Sequence, residues 1–217
     1  MEKINFSACT LLHIERTFGL RTVMQNQTLN EWVSTTQPLN DFYMASVQHF
    51  CKNLQENVWH WNEQDLSMHF IGPMFSLTQF TVFYRFNLFA QRTISAVVQG
   101  IELGGRTDEI IASGYREPET PFFAINEYKK ETDPDGDPAG QALAAMLVGQ
   151  ELNKKEGVDL PIYGCYIRGR NWFFMVLEGN EYAISKAFDS TEIEDAYQIL
   201  RILFQLKIYC MERTEPM

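Results

Sequence analysis

Three strand-like apolar runs, at roughly 92–99, 101–113 and 122–130, follow one another through short links, and a strongly helical stretch from Ala139 to Leu152 comes after them. Short links join antiparallel neighbours, so the runs read as a meander, with Gly100, Gly104, Gly105 and Gly114 marking turns or bulges. The final third alternates again through Pro161–Ile167, Trp172–Leu177 and Tyr182–Ser185, with hairpin signals at Gly169-Arg170-Asn171 and Gly179-Asn180. Thr191 to Tyr209 closes the chain as a helix with Ile193, Ala196, Tyr197, Leu200, Leu203 and Phe204 on one side. Helix, meander, helix, strands and helix in that order predict an α/β class with a mixed sheet.

Upstream, Val47, Phe50, Cys51, Leu54 and Val58 form one apolar stripe of a helix running from Asn40 to about Trp59. Asn62 is a candidate N-cap, with Asp65 three residues on, for a short second helix through Glu63, Leu66 and Phe70 that Gly72-Pro73 ends. Residues 75–89 are aromatic and fit a buried helix or a buried strand equally. Thr132 to Pro138 reads as a turn-rich loop. The polar stretches around Gln25–Thr28 and Ser34–Pro38 make residues 1–38 a loosely structured lead-in to one domain over 39–217.

Two acids and a lysine stand out against this frame. Asp108 lies between a glycine pair and the run Ile110-Ile111-Ala112, and Glu127-Tyr128-Lys129 ends the next apolar run. Alternation puts Glu127 and Lys129 on one face of a strand. Both acids emerge from buried runs, where an unpaired carboxylate is costly and usually has a metal or functional partner. Mg²⁺ prefers oxygen ligands, keeps several waters, and needs only one or two carboxylates plus a substrate phosphate. Asp108 and Glu127 can supply those carboxylates, and an ammonium at Lys129 can orient the attacking water or offset charge on the phosphate. A Glu-x-Lys pair by itself is an ordinary solvated ion pair; the Asp after a glycine pair one strand earlier, flanked by apolar residues, is what raises it above that.

Composition narrows the alternatives. With 217 residues, 45% of them hydrophobic, the chain can bury one sizeable core. No apolar run of about 18 residues exists, and Met1–Ser7 lacks the features of a signal peptide, which points to a cytoplasmic location. Cys9, Cys51, Cys165 and Cys210 are far apart, and the four histidines show no zinc or triad spacing, which disfavours a zinc or serine hydrolase. No glycine-rich nucleotide loop is present. The net charge of −10 runs against phosphate binding, although Arg106, Arg116, Lys129, Lys130, Lys154, Lys155, Arg168 and Arg170 could form a basic rim or lie scattered.

The order of a helix bearing an acid, strands carrying Asp108 and Glu127-x-Lys129, a helix with an early Gln, and a further strand resembles the PD-(D/E)XK nuclease superfamily, over about Asn62 to Arg168. The resemblance implies a restriction-endonuclease-like mixed central sheet flanked by helices, of the bacterial kind, acting on DNA or, less readily, RNA. It implies that Asp108, Glu127 and Glu63 hold Mg²⁺ or Mn²⁺, with Asp65 or Glu56 as other choices for the helical acid, and that Lys129 positions or activates water. Gln141 would be the Gln of the Gln-x-x-x-Tyr motif found in RecB-like members, but Ala145 stands where its Tyr would be. The acidic balance, that missing Tyr, and Trp59, Trp61 and Trp172 as surface aromatics support an alternative: a catalytically inactive nuclease-fold binding or scaffolding protein. An enzyme of another class on the same fold is a third reading.

Overall fold

A computed structural model describes residues 2–132 and 136–214. Its largest sheet has eight strands, built around β3 (Asn87–Ala90), β6 (Glu109–Ser113), β7 (Glu119–Lys129), β8 (Ile162–Arg168), β9 (Asn171–Glu178) and β10 (Glu181–Ile184), which lie side by side in that order. Among these six, neighbours run antiparallel except β7 and β8, which are parallel. A parallel pair needs a crossover, and α6 (Pro138–Lys155) provides it. The class is therefore the expected one: a mixed α/β protein with a central mixed sheet flanked by helices.

Helix α6 is buried almost all round, from Ala139 to Gln150, because it packs between two layers. One layer is the large sheet. The other is a small sheet in which β4 (Thr93–Val98) pairs with β5 (Ile101–Arg106), and β5 pairs in parallel with β1 (Lys3–Asn5). The opposite face of the large sheet is covered by α2 (Gln27–Val33), α3 (Asp41–Asn57), α5 (Gly72–Thr78) and the long α7 (Ile193–Arg213). All four cysteines are single buried thiols.

Several expectations needed correction. Residues 2–38 are not a loose lead-in: β1 joins the small sheet, α1 (Leu11–Phe18) packs on α6, and β2 (Arg21–Thr22) pairs with β10. Trp32 is fully buried, its indole donating to the Ile202 carbonyl at 2.9 Å. The polar residues that suggested looseness are caps and turns; Asn26, for example, caps α2. Gly72-Pro73 does not stop the helix that starts at Glu63. After α4 (Glu63–Leu66) a five-residue π turn, Ser67–Ile71, in which the Gly72 N–H reaches back to the Ser67 carbonyl, leads straight into α5, with Pro73 at the junction. The ambiguous 75–89 region splits into the end of α5 and strand β3. Of the loop expected at 132–138, positions 133–135 lie outside the described residues, and Asp137 caps α6.

The run 101–113 is two strands in two sheets. The hairpin 87–98/101–112 keeps one register throughout, Val98 opposite Ile101 and Asn87 opposite Ala112, about a two-residue turn in which Gln99 and Gly100 both have positive φ. It kinks where Gln91, itself at φ 57°, faces Asp108, and so passes from the large sheet into the small one. Gly104 and Gly105 are therefore strand residues rather than a turn. Any side chain there would collide with Ser95 or the Phe6 ring.

Candidate active site

The kink places Asp108. The β6–β7 register pairs Glu109 with Asn126, so Asp108 stands opposite Glu127. Its carboxylate replaces the next ladder bond: Oδ2 accepts the Tyr128 backbone N–H at 2.9 Å, and Oδ1 accepts from Gln91 Nε2 at 2.9 Å. Lys129, two residues past Glu127 on the same face, donates to Glu127 Oε1 at 3.1 Å. Glu63, the first residue of α4, comes within 3.6 Å of the same ammonium. Of the three helical acids considered, Glu63 is the one at the site: Asp65 completes the capping box with Asn62, and Glu56 faces Lys52.

The β7 members of this cluster are largely buried. Lys129 and Glu127 side chains are only 16% and 11% exposed. Burial and the neighbouring Asp108 push Glu127 up to about 7, against the pull of Lys129. Asp108 is also raised, by burial, although the Tyr128 N–H and Lys129 draw it down. Burial pulls Lys129 down, but Glu127, Glu63 and Asp108 together hold it above its ordinary value. Three carboxylates share one ammonium, so the cluster carries excess negative charge.

That excess is what a hard cation would offset, and an all-oxygen donor set suits Mg²⁺ or Mn²⁺. Among the described residues, no three His, Cys, Asp or Glu side chains stand close enough to hold a metal by themselves. Asp108 and Glu127 would supply two carboxylates, with water and phosphate completing the shell; Glu63 instead turns to Lys129. Gln141 lies in the first turn of α6, its amide near Gly136, and among the described residues no hydrogen bond ties it to Asp108, Glu127 or Lys129. Ala145 is 2% exposed within α6, and a tyrosine would have no room there.

Three residues went unnoticed in the sequence. Gln91 holds Asp108 across the kink, and folding the hairpin about Gln99-Gly100 would have paired them. Tyr128 donates from its hydroxyl to Ser67 Oγ at 3.1 Å, tying β7 to the first residue of the π turn and so fixing α4 near the site. Glu109, on the other face of β6, is fully buried and its carboxyl is pushed up to about 8, chiefly by desolvation and then by Asp108; one of its oxygens and the adjacent Asn126 amide nitrogen make no hydrogen bond of ordinary geometry. A charged residue at the head of Glu109-Ile110-Ile111 was its only signal.

The basic rim is only partly gathered. Lys129 and Arg168 are register partners, with Lys130 and Arg170 alongside, but Lys154 and Lys155 lie at the far end of α6, where Asn153 binds Phe122. Trp172 is fully buried against Phe70 and Phe75, so it is no surface aromatic. No helix among the described residues is long and apolar enough to cross a membrane.

No protein-family model and no curated protein matches the chain. Among solved structures, the DrdV–DNA complex, determined by cryo-EM, is similar over 75% of this chain at 15% identity and a TM-score of 0.44. The matching region covers 14% of that protein's chain.

Proposed function

We propose that this chain is a metal-dependent nuclease of the PD-(D/E)XK, restriction-endonuclease-like kind, hydrolysing phosphodiester bonds of DNA. The observation that carries the reading is the meeting of Asp108, Glu127 and Lys129 at one end of β6 and β7, with a half-buried and a buried carboxylate held opposite each other and an ammonium two residues on. The sheet order β3–β6–β7–β8 with an α6 crossover supports the same reading.

A bound Mg²⁺ or Mn²⁺ would supply charge stabilisation at the phosphate and a more acidic water. The protein's own groups do the rest. Tyr128 N–H and Gln91 fix the Asp108 carboxylate, so it needs no reorganisation when charge develops. Glu127 would share the metal with Asp108, and the Lys129 ammonium beside it can orient the attacking water, whose proton passes to solvent. Water oxygen bonds to phosphorus, the bond from phosphorus to the leaving sugar oxygen breaks, and that oxygen takes a proton from solvent. Lys129 is held by Glu127 and Glu63 on the side from which it can offset phosphate charge.

The test is a cleavage assay on single- and double-stranded DNA with Mg²⁺ or Mn²⁺, beside a calorimetric metal titration. Asp108→Ala and Lys129→Met should remove cleavage by at least about 10²-fold while the fold persists, and Asp108→Ala should lose metal binding as well. Full activity in either variant refutes the assignment. No metal binding by the wild type would favour the non-catalytic binding module.

A further inference from the structure

Two of the chain's four indoles, Trp32 and Trp172, are fully buried, but Trp59 is left 58% exposed in the turn between α3 and α4. Its place is not arbitrary. Trp59 precedes Glu63 by four residues, at most about 14 Å of chain. The Arg170 guanidinium lies 5.5 Å from the indole centroid. Arg170 is itself held at the site: its N–H donates to Glu131 Oε2 at 2.9 Å, and the preceding Gly169 N–H donates to the Lys129 carbonyl at 2.8 Å. The Trp59–Arg170 and Glu63–Lys129 contacts therefore bridge the same gap, between the α3–α4 turn and the ends of β7 and β8.

We infer that Trp59, backed by Arg170, is a stacking platform for an unpaired nucleobase next to the cleavage site, so that the substrate is single-stranded or locally opened nucleic acid; this substrate assignment rests on the nuclease reading above. An arginine against an indole gives about 0.5–1 kcal/mol at exposed sites and holds the ring in one orientation. A base stacks on such a ring only when it is out of a duplex, where neighbouring base pairs already cover its faces. At ~3.4 Å per nucleotide of stacked strand, a base on Trp59 lies within about four nucleotides of a phosphate at Lys129.

The charge balance supports a stacking contribution. With a net charge of −10, the chain gains little from counterion release, which ordinarily supplies most nucleic-acid affinity. Cations are present at this end of the sheet, Lys129, Arg168 and Arg170, but Arg170 already lies 3.5 Å from Asp189 and 3.7 Å from Glu131. Short-range contact with a base face is what remains. A second cluster of exposed aromatics, Phe83, Tyr84 and Tyr115, lies by a cavity of about 430 Å³ that Tyr84, Tyr115 and Ser113 help to line, at the end of β6 remote from Asp108. It is too far along the strand to serve the same phosphate.

The experiment measures anisotropy of a labelled oligothymidylate of about 12 nucleotides, and of a blunt hairpin duplex, in EDTA so that no turnover occurs. Wild type, Trp59→Ala and Trp59→Phe are compared, with thermal melting to show that all three fold. Single-strand binding should weaken about tenfold in Trp59→Ala, stay within about twofold in Trp59→Phe, and duplex binding should not change. The slope of affinity against salt should be the same in all three, since no charge is removed. Unchanged single-strand affinity in Trp59→Ala, equal loss for both substrates, or no single-strand binding by the wild type overturns the inference. Because turnover is absent, these failures are separate from loss of metal-dependent cleavage, which tests the nuclease assignment.

Discussion

Replacing Glu127 by Gln should make the protein more stable and less active, and the stability gain should depend on pH in a way the site's burial dictates. The change keeps the shape and an oxygen that can still accept from Lys129, but removes a charge that burial and Asp108 disfavour. The carboxyl is raised from 4.5 to about 7 in the folded protein. A raised carboxyl gives its proton up more readily in the unfolded chain, so the folded state is penalised increasingly above pH 4.5 and fully above about 7. The gap corresponds to about 3 kcal/mol at pH ~8.5 and about 1 kcal/mol at pH ~5. Urea unfolding of both proteins at the two pH values should thus show Glu127→Gln more stable by those amounts. Metal offsets most of the gap at pH ~8.5 and reverses the order at pH ~5: wild type should gain about 2.7 kcal/mol at a hundredfold excess over the dissociation constant, and the variant little. A gain that does not change with pH, or a variant less stable than wild type at pH ~8.5 without metal, refutes the account of Glu127 as a strained, buried charge.

Two further outcomes test the scaffold. Asn153 is fully buried and its side chain pairs both the N–H and the carbonyl of Phe122, each at 2.8 Å, so Asn153→Ala should cost about 2–4 kcal/mol in urea unfolding by leaving two backbone groups unpaired. Ala145→Tyr, which restores the Gln-x-x-x-Tyr spacing, should lower stability by about 1–3 kcal/mol or more and leave cleavage no faster, since α6 is enclosed by two sheets at that position; a stable and more active variant would show that the ring finds the substrate instead.

The long apolar periods were legible. The helices α3, α6 and α7 and the strands β7 to β10 fall close to where spacing put them, because each buries one face or all faces in a way that a period of 3.6 or 2 records. The Asn62 cap was legible because the capping box is local chemistry between Asn62 and Asp65. The candidate site was partly legible: Glu127 and Lys129 share a face by strand alternation alone. Choosing Glu63 over Asp65 and Glu56 needed its contact with Lys129, which lies on an element distant in sequence. The ordering of residues 2–38 was hidden for a related reason: the partners that hold them, β5, α6, β10 and Ile202, are all distant in sequence.

The sequence by itself determined the chemistry available and the order of elements: two acids and an ammonium at the ends of adjacent apolar runs, an alanine-rich helix between strands, and no zinc or triad spacing. Only the tertiary structure decided what those groups experience. The kink at Gln91 and Asp108 sends one hairpin into two sheets, lays the Asp108 carboxylate on the β7 backbone, and encloses α6 so fully that Ala145 has no room to be a tyrosine. The physical reason is that burial and charge proximity are properties of packing between distant segments. The same Glu-x-Lys that would be a weak solvated pair on an open strand becomes, beside Asp108 and under Glu63, a buried cluster with excess negative charge.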